Sequence, residues 1–256
     1  MTLHVFGSEH APVLLMLHPL AVRWDIYDRV IPILEKDYRL VIPAIPGFDE
    51  EDPKRDFPGI EETCEALSKA LEAQGYTQVK CVYGCSMGGA LATRLVACGL
   101  VKPECAVLDG AILPYTYPKP VTYLIGIKDY LTLEIGRHLS IRALKGMFDP
   151  DKYTEADLTY ARDVMRSMSR KTIWRGFYST NNYALPSPAL SAGRMAYWWG
   201  EEEKKERKTD IAYAERVFPG ISFREIPGEG HAEGFTVHPE AFCERLVDFI
   251  ENREDK

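Results

Sequence analysis

The sequence predicts an α/β fold in which a mostly parallel sheet is flanked by helices. Short apolar runs alternate with longer amphipathic stretches along the chain, which is typical of strands alternating with helices. At residues 84–88 the pattern Gly-x-Ser-x-Gly lies between an apolar run and an amphipathic stretch, where a sharp strand-to-helix turn is expected. With 256 residues, the chain is long enough for one large α/β domain or two small domains.

The predicted elements alternate in type through most of the chain. Residues 13–17 form a continuous apolar run, which is typical of a strand buried on both faces of a sheet. Residues 61–74 have apolar positions at helical spacing, and Gly75 follows as a residue suited to ending a helix. The predicted strands are 3–6, 13–17, 40–43, 79–83, 105–108, 195–198 and 222–226. The predicted helices are 24–36, 61–74, 87–98, 207–217 and 239–252.

The composition argues against several classes of protein. Hydrophobic residues make up 46% of the chain and charged residues 27%, so the chain is too apolar to be disordered. The net charge of −7 argues against nucleic acid and against an anionic membrane as partners, although it leaves room for a local basic patch. We therefore expect a small-molecule substrate, with no nucleic-acid and no membrane partner.

The N-terminus and the cysteines predict a cytoplasmic protein. Residues 1–10 contain no Lys or Arg, and the first apolar run, 13–17, is too short for a signal peptide. No stretch approaches the ~20 apolar residues of a membrane span. The six cysteines show neither a Cys-x-x-Cys pair nor the spacing of a zinc site, so free thiols and no metal are expected.

Ser86 is the candidate nucleophile. A sharp turn between a strand and a helix forces its middle residue into strained backbone angles, so the residues two before and two after must be small. Gly84 and Gly88 meet that requirement. Such a turn presents the serine hydroxyl at the positive end of the helix that begins near Met87.

A serine nucleophile needs a base, and the base needs an orienting acid. His231 lies in a glycine-flanked loop after the last predicted strand, where it can reach the carboxyl edge of the sheet. His238, just before Pro239 at the start of the last helix, is the weaker alternative. The acid is expected between serine and histidine in the chain. Asp109 ends one predicted strand, and three carboxylates follow the strand at 195–198.

Together these residues resemble the α/β-hydrolase superfamily, and the resemblance spans nearly the whole chain. Residues 84–88 resemble the family's nucleophile elbow, and Gly230-His231 resembles its catalytic histidine loop. The run 17–20 is similar to the end of the family's first long strand, although Pro19 stands where glycine is usual. Residues 44–49 keep the Pro-Gly of a loop that often begins with an acidic residue.

The resemblance implies a role for each site residue. The family's acid position, three residues after Gly200, falls on Glu203, and Asp109 stays the alternative acid. The oxyanion hole would use the backbone N–H groups of Leu20 and Met87. His18 is expected to brace its loop through hydrogen bonds and to take no part in proton transfer.

The implied function is that of a serine esterase, or carboxylesterase. It would cleave a carboxylic ester or related acyl bond of a small, apolar substrate without a metal or organic cofactor. Residues 1–113 and 192–256 would form the hydrolase core. The aromatic-rich stretch 114–191 would form a helical cap, or lid, inserted before the last two of about seven strands.

Other chemistry remains open at this point, because a fold does not decide a reaction. The alternatives are C–C bond hydrolysis, lactone or amide cleavage, acyl transfer, and lyase or cofactor-free oxidoreductase chemistry. The chain can also be a non-enzymatic ligand-binding protein of the same fold.

Overall fold

A seven-stranded sheet forms the centre of the computed structural model, which describes residues 1–114 and 117–253. The strands are β1 (Leu3–Phe6), β2 (Val13–Leu17), β3 (Arg39–Pro43), β4 (Cys81–Cys85), β5 (Cys105–Asp109), β6 (Arg194–Gly200) and β7 (Ser222–Ile226). They lie in the order β1-β3-β2-β4-β5-β6-β7. β1 pairs antiparallel with β3, and the other neighbouring strands pair in parallel. The predicted mostly parallel α/β sheet is confirmed.

Helices cover both faces of this sheet. Among the described residues they are α1 (Ile31–Leu34), α2 (Ile60–Ala73), α3 (Met87–Ala97), α4 (Lys119–Gly136), α5 (Ile141–Lys145), α6 (Glu155–Ser167), α7 (Arg170–Asn182), α8 (Lys204–Val217), α9 (Glu233–Val237) and α10 (Pro239–Ile250). Alternate side chains of β2 enter different apolar cores, as the period of a strand requires. Leu15 and Leu17 pack in the core that contains α2 and α3, whereas Leu14 and Met16 pack with α1 and α10.

Two predicted elements differ in the structure. The sequence predicts one helix over 24–36, whereas the structure has a short 3₁₀ turn (Trp24–Tyr27) followed by α1. Pro32 lies in the first turn of α1, where its missing N–H costs nothing, but proline cannot continue a helix from the preceding turn. β4 runs two residues beyond the predicted 79–83 and therefore ends directly before Ser86.

Helices α4 to α7 occupy the chain between β5 and β6. α4 packs along α7, where Gly126 faces the rings of Trp174 and Tyr178. Tyr123 packs edge-on against Trp174, with the ring centroids 5.3 Å apart. Residues 115 and 116, at the start of the predicted insertion 114–191, lie outside the described residues. The division into a core and a cap stays a prediction.

A membrane-spanning helix is not found within the part of the chain that the structure describes. Each helix there is too short or too polar to cross a lipid bilayer.

Candidate active site

Ser86 forms the sharp turn between β4 and α3. Its backbone angles are φ +56° and ψ −116°, a left-handed φ that is strained for any residue with a Cβ. A Cβ added at Gly84 would lie 2.3 Å from the carbonyl oxygen of Gly88. One added at Gly88 would lie 2.0 Å from the carbonyl oxygen of Leu17. Both glycines are therefore needed for the strand and helix to meet this closely, as the Gly-x-Ser-x-Gly spacing predicts.

His231 and Glu203 form a hydrogen-bonded pair after the last two strands. His231 Nδ1 lies 2.7 Å from Glu203 Oε2. A carboxylate only accepts, so Nδ1 carries the proton and Nε2 is left as an acceptor. Glu203 is buried in the short 3₁₀ turn that follows β6, and its Oε1 accepts from the N–H of Gly200 at 3.2 Å. The residue after His231, Ala232, has a left-handed φ of +64°, which turns the chain directly into α9.

The pKa of Glu203 lies below its usual value. Burial alone raises this pKa. The hydrogen bond from His231, the guanidinium of Arg207 and the N–H of Gly200 lower it, and their combined effect is larger than that of burial. The Glu203 carboxylate is therefore ionised near neutral pH, as an acceptor for the imidazole N–H must be.

Gly110 lies between the serine turn and the histidine–glutamate pair. The Ser86 N–H donates to the carbonyl of Asp109 at 2.9 Å, and Gly110 is the next residue. A Cβ at Gly110 would lie 2.9 Å from Glu203 Oε1 and 3.0 Å from His231 Nδ1, and its φ is +51°. Only glycine lets the imidazole and carboxylate approach this strand end so closely. The structure thus brings Ser86, His231 and Glu203 to one edge of the sheet.

Arg207 contacts the same carboxylate oxygen of Glu203 that bonds to His231. Its Nε lies 3.3 Å from Glu203 Oε2, and its Nη1 lies 3.3 Å from Asp210 Oδ2 and donates to the Gly110 carbonyl at 3.2 Å. Asp210 Oδ1 in turn accepts from the N–H of Leu113 at 2.9 Å. The first turns of α8 and the strand end at Gly110 are therefore joined by one buried charged network.

Asp109, the alternative acid, has a different partner. Its Oδ2 accepts from the hydroxyl of Tyr83 at 2.5 Å, while Nδ1 of His231 bonds to Glu203. Burial raises the pKa of Asp109 to about 6; the Tyr83 hydrogen bond opposes this shift, and the nearby charge of Glu203 adds to it. The geometry therefore favours Glu203 over Asp109 as the partner of the imidazole.

The loop after β2 carries the predicted oxyanion donor Leu20. His18 is fully buried, and its Nδ1 donates to the carbonyl of Pro19 at 2.8 Å. Burial lowers the pKa of His18 to about 4, against the opposing effects of the Pro19 carbonyl and Asp25, so the ring is neutral near pH 7. Within the described residues, no hydrogen bond occupies the N–H of Leu20 or Met87. His18 braces this loop in the way the sequence predicts.

A cavity of about 940 Å³ opens beside His231 and Pro19. Its lining is mostly apolar and comes from α4, α5 and α6, from the residues after β2, and from the chain around α9. The charged residues that line it are Asp25, Asp28, Arg29, Asp129 and Asp157. Arg29 pairs with Asp157 at 2.6 Å. Burial raises the pKa of Asp28, and the neighbouring charge of Asp25 raises it further. The charged part of the lining is therefore mainly acidic.

Glu233 ties the His231 loop to the chain between α5 and α6. The Glu233 side chain is buried, and its Oε2 accepts from the N–H of Gly230 at 2.7 Å and from Lys152 Nζ at 2.8 Å. Its Oε1 accepts from the hydroxyl of Tyr153 at 3.2 Å. Burial alone raises the pKa of Glu233, but the Lys152 ammonium and the Gly230 N–H bring it below its usual value. Glu233 thus links the loop that contains His231 to the segment between α5 and α6.

Sequence reasoning missed Gly110, Arg207 and Glu233. One signal was available for Arg207, because positions 203, 207 and 210 are spaced four and three residues apart and share one helix face. The partners of Gly110 come from distant parts of the chain, and so do the Lys152 and Tyr153 partners of Glu233, so the sequence carried no local signal for these contacts. His238 lies at the start of α10, as its position before Pro239 indicates, and Cys85 is buried in the core.

Comparison with known proteins supports the same fold. A model of the alpha/beta hydrolase family matches residues 14–245, which is most of the chain. The chain belongs to the α/β-hydrolase family. A 90-residue stretch is 33% identical to the magnesium-chelatase 30 kDa subunit of Rhodobacter capsulatus. That match covers 35% of this α/β hydrolase and 31% of the subunit, about a third of the relative's length.

Solved structures share the fold of this α/β hydrolase over nearly its full length. An alpha/beta hydrolase family protein from Desulfitobacterium hafniense has a TM-score of 0.75 at 23% identity, covering 97% of this chain and 100% of that one. The enol-lactonase from Burkholderia xenovorans LB400 has a TM-score of 0.74 at 16% identity, covering 98% and 96%. At these identities the likeness concerns the fold.

Proposed function

We propose that this α/β hydrolase is a serine hydrolase that cleaves a carboxylic ester or related acyl bond. The observation that carries the proposal is the 2.7 Å hydrogen bond between His231 and Glu203 at the sheet edge where the strained Ser86 turn lies. That bond leaves His231 Nε2 as the acceptor that a serine hydroxyl needs. The nucleophile, the acid and the base follow one another in the chain in that order, which is the order that this fold uses.

The reaction proceeds through an acyl-enzyme. His231 Nε2 takes the proton of Ser86 Oγ as that oxygen attacks the acyl carbon, and Glu203 stabilises the imidazolium that forms. The imidazolium then protonates the leaving alcohol as the tetrahedral intermediate collapses. In the second half, His231 takes a proton from water, the hydroxide adds to the acyl carbon, and Ser86 leaves with the proton returned to it.

The N–H groups of Leu20 and Met87 are the proposed oxyanion donors. The Leu20 donor follows Pro19. The fixed φ of Pro19, and the hydrogen bond that its carbonyl accepts from His18, limit the freedom of the loop. The Met87 donor lies at the first residue of α3, where the helix dipole favours negative charge. Since each preorganised donor is worth about 3 kcal/mol in the transition state, a braced loop contributes directly to the rate.

The cavity beside His231 supports a substrate with an apolar body. Its volume of about 940 Å³ suits a molecule of drug size or a medium-length acyl chain. Because Asp25 and Asp28 contribute to its lining, while Asp129 is paired with Lys128, an anionic substrate would be repelled. We therefore propose that the substrate is a neutral or cationic ester with an apolar acyl or alcohol portion.

Covalent labelling combined with ester turnover tests this proposal. A fluorophosphonate probe is expected to modify the peptide that contains Ser86, as measured by mass spectrometry after digestion. p-Nitrophenyl esters with acyl chains of increasing length are expected to be turned over, whereas a hemisuccinate ester of similar size reacts more slowly. Labelling of Ser86 without turnover of any ester would indicate different chemistry on the same residues. If Ser86 is not labelled and no ester is turned over, the proposal is overturned.

The contact between Lys152 and Glu233 is expected to affect turnover by positioning His231. Glu233→Ala removes the acceptor for the Gly230 N–H, and Lys152→Met removes the cation that stabilises the buried carboxylate. Because small displacements of a catalytic group cost up to about a hundredfold in rate, kcat should fall about tenfold to a hundredfold in Glu233→Ala. A smaller loss is expected in Lys152→Met. Steady-state kinetics with a short ester measures both.

The matched control for these variants is Lys145→Met, which breaks an exposed ion pair with Glu155 in the same part of the chain. Its kcat should equal that of the wild type. Lys152→Arg should recover most of the rate, because arginine also donates to the carboxylate. Equal kcat in Glu233→Ala and the wild type, with both folded by circular dichroism, would show that Glu233 does not position the histidine.

A further inference from the structure

One face of α4 is apolar and exposed to solvent. Val121, Leu124, Leu131 and Ile135 are each between 42% and 65% exposed, and Lys128 lies among them. Their spacing of three, four, three and four residues places all five on one face of the helix. We call this face the α4 stripe. From residue 121 to residue 135 it extends about 21 Å at the rise of an α-helix.

The α4 stripe is not the surface that holds α4 in place. The opposite side of the helix carries the buried residues Thr122 and Gly126. Gly126 faces Trp174 and Tyr178 of α7, and Tyr130 also packs edge-on against Trp174. The helix therefore has two apolar sides, one packed against α7 and one exposed to solvent. Isolated exposed apolar residues are common, but a continuous stripe indicates a contact surface.

The α4 stripe is continuous with the mouth of the cavity beside His231. Ile135 belongs to the stripe and also lines the cavity. Met147 and Phe148, which follow the C-terminus of α5, line the same cavity, and Met147 is 70% exposed. Apolar side chains therefore lead from the outer surface of α4 into the cavity.

The charge around the stripe is opposite in sign to that of the whole chain. Residues 117–148 contain five Lys or Arg and two Asp or Glu, a net charge of +3 in a chain of net charge −7. The exposed cations of this stretch are Lys119, Lys128, Arg142 and Lys145. Two of them are ion-paired, Lys128 with Asp129 at 3.0 Å and Lys145 with Glu155 at 2.6 Å. Cations beside an exposed apolar helix face are the pattern that binds anionic lipid headgroups. The acidity of the whole chain conceals this local basic region.

We propose that the α4 stripe docks on an anionic lipid surface and turns the cavity mouth toward the lipid. The apolar side chains would enter the boundary between headgroups and acyl chains, while the Lys128 ammonium exchanges its ion pair with Asp129 for the lipid headgroups. The docking does not depend on the proposed hydrolysis. Only the delivery of an apolar ester from the lipid to His231 rests on that proposed function.

A second copy of the chain is a poorer occupant of this face. If two stripes packed antiparallel about a two-fold axis, Val121 would meet Ile135 and Leu124 would meet Leu131 of the other copy. Lys128 would then face the same lysine of the other copy, and burying two like charges is unfavourable. A lipid surface imposes no such contact.

Vesicle sedimentation tests the docking without requiring turnover. With vesicles of phosphatidylcholine containing about a third phosphatidylserine, the wild type is expected to sediment at low salt and to be released as salt increases. Binding to pure phosphatidylcholine vesicles should be at least tenfold weaker. The variant Lys119→Gln/Arg142→Gln should lower partitioning roughly 25-fold, since each cation near such a surface contributes about fivefold.

A double variant of the apolar residues separates this proposal from the proposed hydrolysis. Leu124→Glu/Leu131→Glu should lower partitioning at least tenfold while leaving turnover of a short water-soluble ester and the thermal midpoint unchanged. The matched control is Leu190→Glu, at a leucine exposed elsewhere on the surface, which should bind vesicles as the wild type does.

Three results would overturn the docking proposal. They are failure of the wild type to bind phosphatidylserine vesicles, equal binding by the wild type and Leu124→Glu/Leu131→Glu, and equal binding to both kinds of vesicle. A dimer in analytical ultracentrifugation that Leu124→Glu abolishes, without vesicle binding, would assign the α4 stripe to a second copy. Inactivity toward all esters together with normal vesicle binding would reject the proposed hydrolysis alone.

Discussion

Ser86→Ala is expected to lower ester turnover by at least about 10⁴-fold while leaving the fold intact. The substitution removes the oxygen that attacks the acyl carbon and leaves only substrate binding and the oxyanion donors. Alanine has the same Cβ as serine, so the strain of the +56° φ is unchanged and the thermal midpoint should stay within a few degrees. The measurement is p-nitrophenol release at saturating ester, together with a thermal unfolding curve.

Ser86→Gly gives a second readout of the same turn. Glycine adopts a left-handed φ without penalty, so this variant should be inactive and more stable by about 1 kcal/mol than Ser86→Ala. Ser222→Ala, at an exposed serine in β7, is the control and should retain full activity. Retained turnover in Ser86→Ala would exclude Ser86 as the nucleophile.

Glu203→Gln is expected to lower kcat by about 10³- to 10⁴-fold with little change in KM. The amide has nearly the shape of the carboxylate, but it has no charge to stabilise the imidazolium. It can also donate to Nδ1, which selects the wrong tautomer of His231. Glu206→Gln, three residues further along at an exposed position, is the control and should be fully active.

Asp109→Asn decides between the two candidate acids. Asp109 bonds to the Tyr83 hydroxyl, so its amide variant should retain kcat within about tenfold of the wild type. The opposite pattern, a large loss in Asp109→Asn and a small one in Glu203→Gln, would make Asp109 the catalytic acid.

The lowered pKa of Glu203 also predicts how its contribution to stability changes with pH. A carboxyl group whose pKa is lower in the folded state stabilises the fold above its unfolded value of about 4.3. That contribution is lost as the pH falls from this value through the folded pKa. Urea unfolding of the wild type and Glu203→Gln between pH 3 and 6 should therefore differ most at the upper end of the range.

The sheet and the serine turn could be predicted because their signals are local. A strand buried on both faces must be continuously apolar, as residues 13–17 are, and this requirement needs no knowledge of its neighbours. The turn at Ser86 depends on Gly84 and Gly88, whose missing side chains the sequence shows directly. The helix over 24–36 was predicted wrongly, because the effect of Pro32 on the first turn was not taken into account.

The partners of the site residues depended on contacts between distant parts of the chain. Asp109 ends β5 and Glu203 lies in the turn after β6, and only the tertiary structure shows which of them bonds to His231. The absence of a side chain at Gly110 allows that bond, yet no pattern around Gly110 indicates that two charged groups approach it.

The sequence alone determined the α/β class, the candidate nucleophile and the candidate base, because hydrophobic period and steric restriction at a turn are properties of short segments. Only the tertiary structure decided the pairing of His231 with Glu203, the link through Glu233 and the exposed apolar face of α4. Burial and hydrogen bonding depend on which surfaces meet, and α4 shows this directly. Its sequence carries apolar residues on both sides, and packing against α7 covers only one of them.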